Sequence, residues 1–98
     1  MKKIDIHTIQ NAARVLRVIA HPDRLRLVEA LEGSSKSVKE LTKELKLSQV
    51  CVSKHLSLLK KQGIVRSEAV SNFRHYSITY RNVINVLNCL RSHGGNAR

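Results

Sequence analysis

The sequence predicts a mainly α-helical domain that carries one small β-hairpin. Apolar residues recur at three- and four-residue spacing in five segments, which is the period of an amphipathic helix. Two later runs, IVRSEAV and FRHYSIT, are instead rich in β-branched and aromatic residues, as strands are. Aromatic residues make up 3% of the chain against 42% for all hydrophobic residues, so the core must be built from Leu, Val, Ile and Ala. At 98 residues, one domain spanning positions 1–98 is expected.

The first two helices are predicted on either side of Pro22. One runs from about Thr8 to Ala20 and carries its apolar residues at helical spacing. The other begins at Pro22, whose fixed φ suits a first helical turn, and Asp23 complements the positive end of the helix. Gly33 is expected to end it. Its predicted buried stripe consists of Leu25, Val28 and Leu31.

Residues 37–62 are predicted to form a helix-turn-helix. Ser37 and Glu40 have the spacing of a capping box, in which each side chain satisfies a free amide at a helix start. After a brief turn, Ser48 can cap a second helix that closes at Gly63. The predicted buried side of this second helix consists of Val52, Leu56 and Leu59. Two short helices joined by a tight turn are the defining feature of the motif.

The two strand-like runs predict a hairpin over residues 65–78, because Ser71 and Asn72 between them favour a turn. Thr79 is then expected to cap a last helix from Arg81 to about Ser92. The apolar face of that helix is predicted to contain Val83, Val86, Leu87 and Leu90.

The order of these elements is that of a winged helix-turn-helix, in which the second helix of the pair enters the DNA major groove. Eighteen Lys and Arg against seven Asp and Glu give a formal charge of +11. In so small a body this charge makes a strong positive field, which indicates a polyanionic partner. Fold and charge therefore both predict binding to double-stranded DNA.

Three stretches, RVIAHPDRLRLVEAL, ELTKELKLSQVCVSKHLSLLKKQGIV and RHYSIT, resemble the small dimeric bacterial repressors of the ArsR/SmtB family. The resemblance covers nearly the entire chain. It implies a homodimer paired through helices at both ends, residues 1–20 and 81–93, a palindromic operator, and release by a small effector. Members of the family often have glycine where this chain has Lys46. A positive φ at that lysine would cost on the order of 1 kcal/mol.

The exposed side of the second paired helix is expected to read DNA. Gln49 can pair bidentately with adenine, Ser53 can bond to bases or phosphate, and Lys54 suits guanine or phosphate. The predicted DNA-contacting residues are Ser48, Gln49, Val50, Ser53, Lys54, Ser57, Lys60, Arg66, Arg74 and His75. Of these, Lys60 and the three residues of the predicted hairpin, or wing, are expected to hold phosphates rather than bases. The three wing residues are Arg66, Arg74 and His75.

Other function classes stay open or are excluded by the residues present. A non-specific DNA-coating protein and a winged-helix protein-interaction module are the alternatives. An enzyme is not expected, because the sequence has no carboxylate pair, no nucleophile with its base and no phosphate-binding glycine loop. No cofactor is predicted. Apolar runs such as VLRVIA fall far short of the ~20 residues of a membrane span, and the start of the chain does not resemble a signal peptide. Only two cysteines are present, too few for a disulfide framework, so a cytoplasmic protein is expected.

Cys51 and Cys89 are the candidates for a thiol sensor. Cys51 is predicted at the edge of the DNA face, and we interpret it as a small spacer beside the sugar-phosphate backbone. A redox switch usually has a resolving cysteine, and Cys89, on the last helix, is expected to lie beyond the ~7 Å limit between bridged Cα atoms.

No metal site is predicted. The thiolate motif of metal-sensing members is replaced by Ser37-Val38-Lys39, and the last helix contains no carboxylate for their second type of site. Cys89 and His93 could meet their symmetry mates across a two-fold axis, but we interpret them as a small interface cysteine and a histidine at a frayed helix end. His21 is interpreted as a helix cap and His55 as a packed or surface histidine, because a metal site needs clustered ligands. The effector, the operator and the regulated genes stay open.

Overall fold

The computed structural model describes the backbone of residues 2–94 and the side chains of residues 2–92. In chain order the helices are α1 (Ile6–Ile19), α2 (Pro22–Ala30), α3 (Val38–Leu45), α4 (Gln49–Lys61) and α5 (Val83–Gly94). The strands are β1 (Lys36–Ser37), β2 (Val65–Val70) and β3 (Phe73–Ile78). The predicted mainly α-helical winged fold is thus confirmed. None of the described helices combines the length and the apolar character needed to cross a bilayer.

Helix α4 lies at the centre of the packing, where it contacts α2, α3 and β2. Val52, Leu56 and Leu59 are each 0% exposed, as their spacing predicts. The rest of the buried core comes from every other helix and the start of the wing: Val15, Ile19, Leu27, Val28, Ala30, Leu31, Leu41, Ile64, Val65, Val83 and Leu87. The orientation of α4 is therefore fixed by burial of one complete side.

The predicted stripe of α2 needs a correction. Leu25 is only partly buried, whereas Leu27, outside the expected stripe, is 0% exposed. The physical reason is that α2 contacts α1, α3, α4 and α5 at once, so it buries more than one narrow face. A single amphipathic stripe describes a helix with one packed side only.

Side-chain caps set the helix starts. The Asp5 carboxylate accepts from the backbone N–H of Thr8 at 2.9 Å, so α1 begins two residues earlier than the apolar pattern predicts. The capping box is confirmed, with Ser37 N–H donating to Glu40 Oε1 at 2.8 Å and Glu40 N–H donating to Ser37 Oγ at 3.1 Å. These bonds satisfy amides that a helix start otherwise leaves free.

The prediction that Thr79 caps α5 is wrong. The backbone N–H groups of Thr79 and Tyr80 both donate to the carbonyl of Ile64, at 2.8 and 3.2 Å, and extend the closure of the hairpin. Because this backbone is engaged with the wing, α5 begins only at Val83.

The wing is a three-stranded antiparallel sheet in the order β1-β3-β2. The hairpin and its turn are as predicted, with Ser71 at φ 59. Strand β1 is not predicted, because two residues are too few to show an alternating pattern. It pairs Lys36 with Tyr76 and Ser37 with His75, and Ser37 also caps α3. The wing is thereby attached to the first residue of the helix-turn-helix.

Two arginines connect helix ends to neighbouring elements. Arg14 of α1 donates through Nη1 to the backbone carbonyl and the side-chain oxygen of Gln62, both at 2.9 Å, just after α4 ends. Arg26 of α2 donates to the carbonyl of Leu45, the last residue of α3, at 2.7 Å. Cations at helix C-termini satisfy free carbonyls and complement the helix dipole.

Replacing Arg14 by alanine should lower the free energy of unfolding by about 1–2 kcal/mol, because two charged hydrogen bonds to the end of α4 are lost. Arg17→Ala removes an exposed cation from the same helix and should change the free energy of unfolding by about 0.5 kcal/mol or less. Urea unfolding at one protein concentration measures both, and equal effects of the two variants would contradict the cap.

Lys46 ends α3 in the left-handed region, at φ 57 and ψ 42, and its N–H donates to the Thr42 carbonyl. An L-residue is strained there because its Cβ approaches the following carbonyl oxygen. The turn thus has the positive φ for which members of the family often carry glycine, here at a lysine.

Replacing Lys46 by glycine should raise the free energy of unfolding by about 0.5–1 kcal/mol, since relief of strain outweighs the added freedom of the unfolded chain. Lys43→Gly, within α3, should lower it by about 1 kcal/mol. Circular dichroism during urea unfolding gives both values, and a loss of stability in Lys46→Gly would show that the turn is not strained.

Candidate nucleic-acid interface

The N-terminal half of α4 presents an exposed polar and apolar surface. Ser48 Oγ accepts from the N–H of Cys51 at 3.1 Å and starts the helix, as predicted. Gln49 is exposed, and Val50 is 67% exposed although it is apolar. An amide beside an apolar side chain is the combination that reads adenine and the thymine methyl group.

Further along α4, most predicted contact residues are accessible. Lys54, Ser57 and Lys60 are exposed, while Ser53 is half-buried. Their positions follow from the buried stripe, which turns them away from the core. The exposed side of α4 therefore has polar and cationic groups along its length.

A groove of ≈ 710 Å³ lies between α3, the start of α4 and the wing. It is lined by Ser37, Val38, Lys39, Thr42, Lys43, Gln49, Asn72, Phe73, Arg74 and Tyr76. Of the residues predicted from sequence, Gln49 and Arg74 are brought together here. Lys39 and Lys43 were missed, although their spacing of four places them on one exposed side of α3 and could have identified them.

The structure separates the other two wing residues from the groove. Neighbouring residues of a strand point to opposite faces, so His75 does not accompany Arg74. His75 is half-buried and pairs with Ser37 and Glu68 across the sheet. Arg66, on β2, donates to Ser77 Oγ at 3.5 Å and lines a different depression.

The acidic side chains are largely engaged within the protein. Among the described residues, those with a hydrogen bond or an ion pair are Asp5, Asp23, Glu29, Glu32, Glu40 and Glu44. The Arg91 guanidinium holds the pKa of Glu32 below its ordinary value, and the Ser37 N–H does the same for the pKa of Glu40. Glu32 and Glu40 stay ionised at neutral pH. Among the described residues, no ion pair joins Lys39 or Lys43 of the groove to a carboxylate.

Four residues meet at the start of α2: His21 just before the helix, Asp23 and Arg24 in its first turn, and His55 of α4. Nδ1 of His21 accepts from the N–H of Asp23 at 3.1 Å, which confirms the predicted cap. Nδ1 of His55 accepts from Nε of Arg24 at 3.2 Å, and the two imidazole centroids are 4.6 Å apart. Burial, with the charges of His21 and Arg24, lowers the pKa of His55. The two histidines interpreted separately from the sequence therefore belong to one cluster.

Cys51 adds its sulfur to this cluster. The side chain is half-buried, and Sγ lies 3.9 Å from Oδ2 of Asp23. The sulfur thus contacts α2, a neighbour that the spacer interpretation did not include. Cys89 is exposed on α5. The side chain of His93 lies outside the described residues, and with it the alternative in which Cys89 and His93 bind a metal.

A second, apolar surface is formed by α1 and α5. Ile6, Ile9 and Leu16 of α1 are 58%, 47% and 49% exposed, and Leu90 of α5 is 48% exposed. Beside them, a groove of ≈ 290 Å³ is lined by Thr8, Ala12, Val15, Leu16, Tyr80, Asn82, Val83 and Val86. Apolar area of this kind on a small domain marks an interaction site.

Comparison with known proteins identifies the family of the chain. Residues 21–67 match the family model described as "Bacterial regulatory protein, arsR family". The chain is 34% identical over 70 residues to the "HTH-type transcriptional regulator YgaV" of Escherichia coli, covering 70% of this chain and 71% of the relative. It is 31% identical over 84 residues to a "Transcriptional repressor SmtB homolog" of Synechocystis, covering 86% of this chain but only 64% of that relative.

The fold is also shared with a solved regulator. The crystal structure of the transcriptional repressor BigR from Xylella fastidiosa superposes with a TM-score of 0.84 at 28% sequence identity, covering 94% of this chain and 95% of that one. The matched proteins are named as transcription regulators, in agreement with the expectation that the chain is not an enzyme. From its helix-turn-helix, its wing and these similarities, the chain belongs to the ArsR family of bacterial regulatory proteins.

Proposed function

We propose that the chain is a cytoplasmic transcriptional repressor that binds a palindromic DNA operator as a homodimer and is released by a small effector. The observation that carries this proposal is the groove in which Gln49 of α4, Lys39 and Lys43 of α3, and Arg74 of the wing line one surface. A helix end that can read bases is thereby flanked on two sides by cations that can hold phosphates.

Sequence is read by the exposed N-terminal half of α4. Gln49 pairs with adenine through its amide, and Val50 contacts a thymine methyl group. Ser53 and Lys54, the next residues toward the helix middle, contact a base edge or a phosphate. Because Val52 and Leu56 fix the rotation of the helix, these contacts have a defined register along the groove.

The duplex backbone is held by the groove and the outer side of α4. Lys39, Lys43 and Arg74 contact phosphates from the groove, and Ser57 and Lys60 do so from the exposed side of α4. Arg66 and His75 lie apart from this groove, so their predicted phosphate contacts would need a second segment of DNA backbone.

The homodimer forms through the apolar surface of α1 and α5. The exposed Ile9, Leu16 and Leu90 are placed where a second copy of the same surface can cover them, as a two-fold interface requires. Two such subunits present two copies of α4, and this arrangement reads a palindrome with half-sites about one helical turn apart.

A non-specific DNA-coating protein is the alternative, and the interface predicts how it differs. Non-specific binding is carried by phosphate contacts alone, whereas Gln49 and Val50 give this chain groups that discriminate bases. A winged-helix protein-interaction module is disfavoured by the lysines that line the groove.

Selection from random duplexes should yield a palindrome, and Gln49→Ala should weaken binding to it by about 1–3 kcal/mol while relaxing preference at one base pair per half-site. Arg74→Ala and Lys39→Ala should weaken binding to all sequences alike, since phosphates carry no sequence information. Arg17→Ala, on α1, serves as the control of equal charge. Fluorescence anisotropy at fixed salt measures each affinity.

In the same assay, affinity should fall steeply with salt, because a dimer of this kind neutralises roughly 6–10 phosphates. A flat salt dependence would refute DNA binding. Equal affinity for the selected palindrome and for random DNA would instead favour the coating protein.

Sedimentation equilibrium should show a dimer at micromolar concentration, and Leu16→Glu should convert it to a monomer, because a buried unpaired carboxylate opposes association. Val70→Glu changes an equally exposed apolar residue on the wing and should leave the dimer intact. A wild-type monomer, or dissociation by both variants, would contradict the α1–α5 interface.

A further inference from the structure

The cluster at the start of α2 holds chemistry that DNA binding does not use. His21, Asp23 and His55 each offer a ligand atom, and the three atoms lie within 4.8 Å of one another. All three residues are half-buried. The thiol of Cys51 lies outside this trio but borders it, because Sγ is 3.9 Å from the Asp23 carboxylate.

The cluster draws its donors from two rigid elements. His21 and Asp23 stand at the start of α2, and Cys51 and His55 lie four residues apart on α4, where they share one side of the helix. Contact between α2 and α4 in the core holds these two pairs against each other. The donors are therefore positioned by packing and not by a mobile loop.

The types of donor indicate the class of ligand. Two imidazoles, a carboxylate and a thiol are the groups that bind zinc-like ions, whereas Mg²⁺ and Ca²⁺ take oxygen ligands. With metal–ligand bonds of about 2.0–2.3 Å, tetrahedral ligand atoms are about 3.3–3.5 Å apart. The ligand atoms of His21, Asp23 and His55 are at most 4.8 Å apart, so their separations exceed this by up to about 1.5 Å, which adjustment of side-chain rotamers can close.

We propose that His21, Asp23, His55 and Cys51 form a binding site for one divalent transition-metal ion of the zinc class. The site rests on these side chains alone and does not depend on the proposed repressor function. It also differs from the positions at which metal-sensing members of the family carry their ligands, which in this chain are Ser37-Val38-Lys39 and the last helix.

Binding exchanges existing hydrogen bonds for metal bonds. Nδ1 of each histidine now accepts a hydrogen bond, from the Asp23 N–H or from Arg24. If the metal binds Nδ1, it takes the lone pair that accepts the hydrogen bond. If the metal binds Nε2, the ring proton must sit on Nδ1, which then cannot accept, so the hydrogen bond is lost in either case. Arg24 keeps its second bond, to the Val18 carbonyl at 2.7 Å. Cys51 binds as a thiolate, and its proton passes to solvent.

Co²⁺ added to the full chain under reducing conditions tests the site, because tetrahedral Co²⁺ absorbs visible light and a thiolate ligand adds a sulfur-to-metal charge-transfer band. The wild type should bind one Co²⁺ per chain, and Zn²⁺ should displace it. His55→Gln and Asp23→Asn should each weaken binding by about tenfold or more. Cys51→Ser should remove the charge-transfer band.

Two matched variants are the controls: His75→Gln changes a histidine of the wing, and Cys89→Ser changes the other cysteine. Both should bind Co²⁺ as the wild type does. Thermal unfolding in the absence of metal, followed by circular dichroism, shows whether each variant is folded. If one of the three ligand variants is unfolded, the other two still test the site. Absence of visible bands in the wild type, or loss of binding in His75→Gln or Cys89→Ser but not in His55→Gln, would overturn the proposal.

Discussion

The complete burial of one side of α4 is the constraint on which the rest of the structure depends. Val52, Leu56 and Leu59 have no exposed surface, and they contact α2, α3 and β2 through the same side of the helix. Rotation of α4 by even one position would bring buried apolar side chains into water, at a cost of about 2 kcal/mol for each side chain exposed. With the rotation fixed, Gln49 and Val50 must face solvent at the start of the helix. The surface proposed to read DNA is thus a consequence of core packing.

The basic residues have two separate roles, which the net charge of +11 does not reveal. Arg14 and Arg26 bond to the C-terminal ends of α4 and α3, so they belong to the scaffold that holds the helix-turn-helix. Lys39, Lys43 and Arg74 line the groove and are available to phosphates. Among the described residues, none of these three cations forms an ion pair with a carboxylate.

The start of α2 and the middle of α4 are connected by polar groups as well as by the core. His21 caps α2, Arg24 joins the Val18 carbonyl to His55, and Asp23 contacts both Arg26 and Cys51. An ion held by this cluster would tie α4, the helix proposed to read DNA, to α2. The proposed metal site therefore includes two residues, Cys51 and His55, of the helix on which the proposed DNA contacts depend.

The sequence by itself determined the helices, the capping box at Ser37 and Glu40, the hairpin and the buried stripe of α4, because caps, turns and periodicity are local properties. The sequence also predicted Gln49 and Arg74 as DNA-contacting residues, and both line the groove. Only the tertiary structure decided the short strand β1, the late start of α5 and the groove shared with Lys39 and Lys43, since each depends on contacts with distant segments. The meeting of His21 and Asp23 with Cys51 and His55 is of the same kind: about thirty residues separate the two pairs, and packing of α2 on α4 alone brings them together.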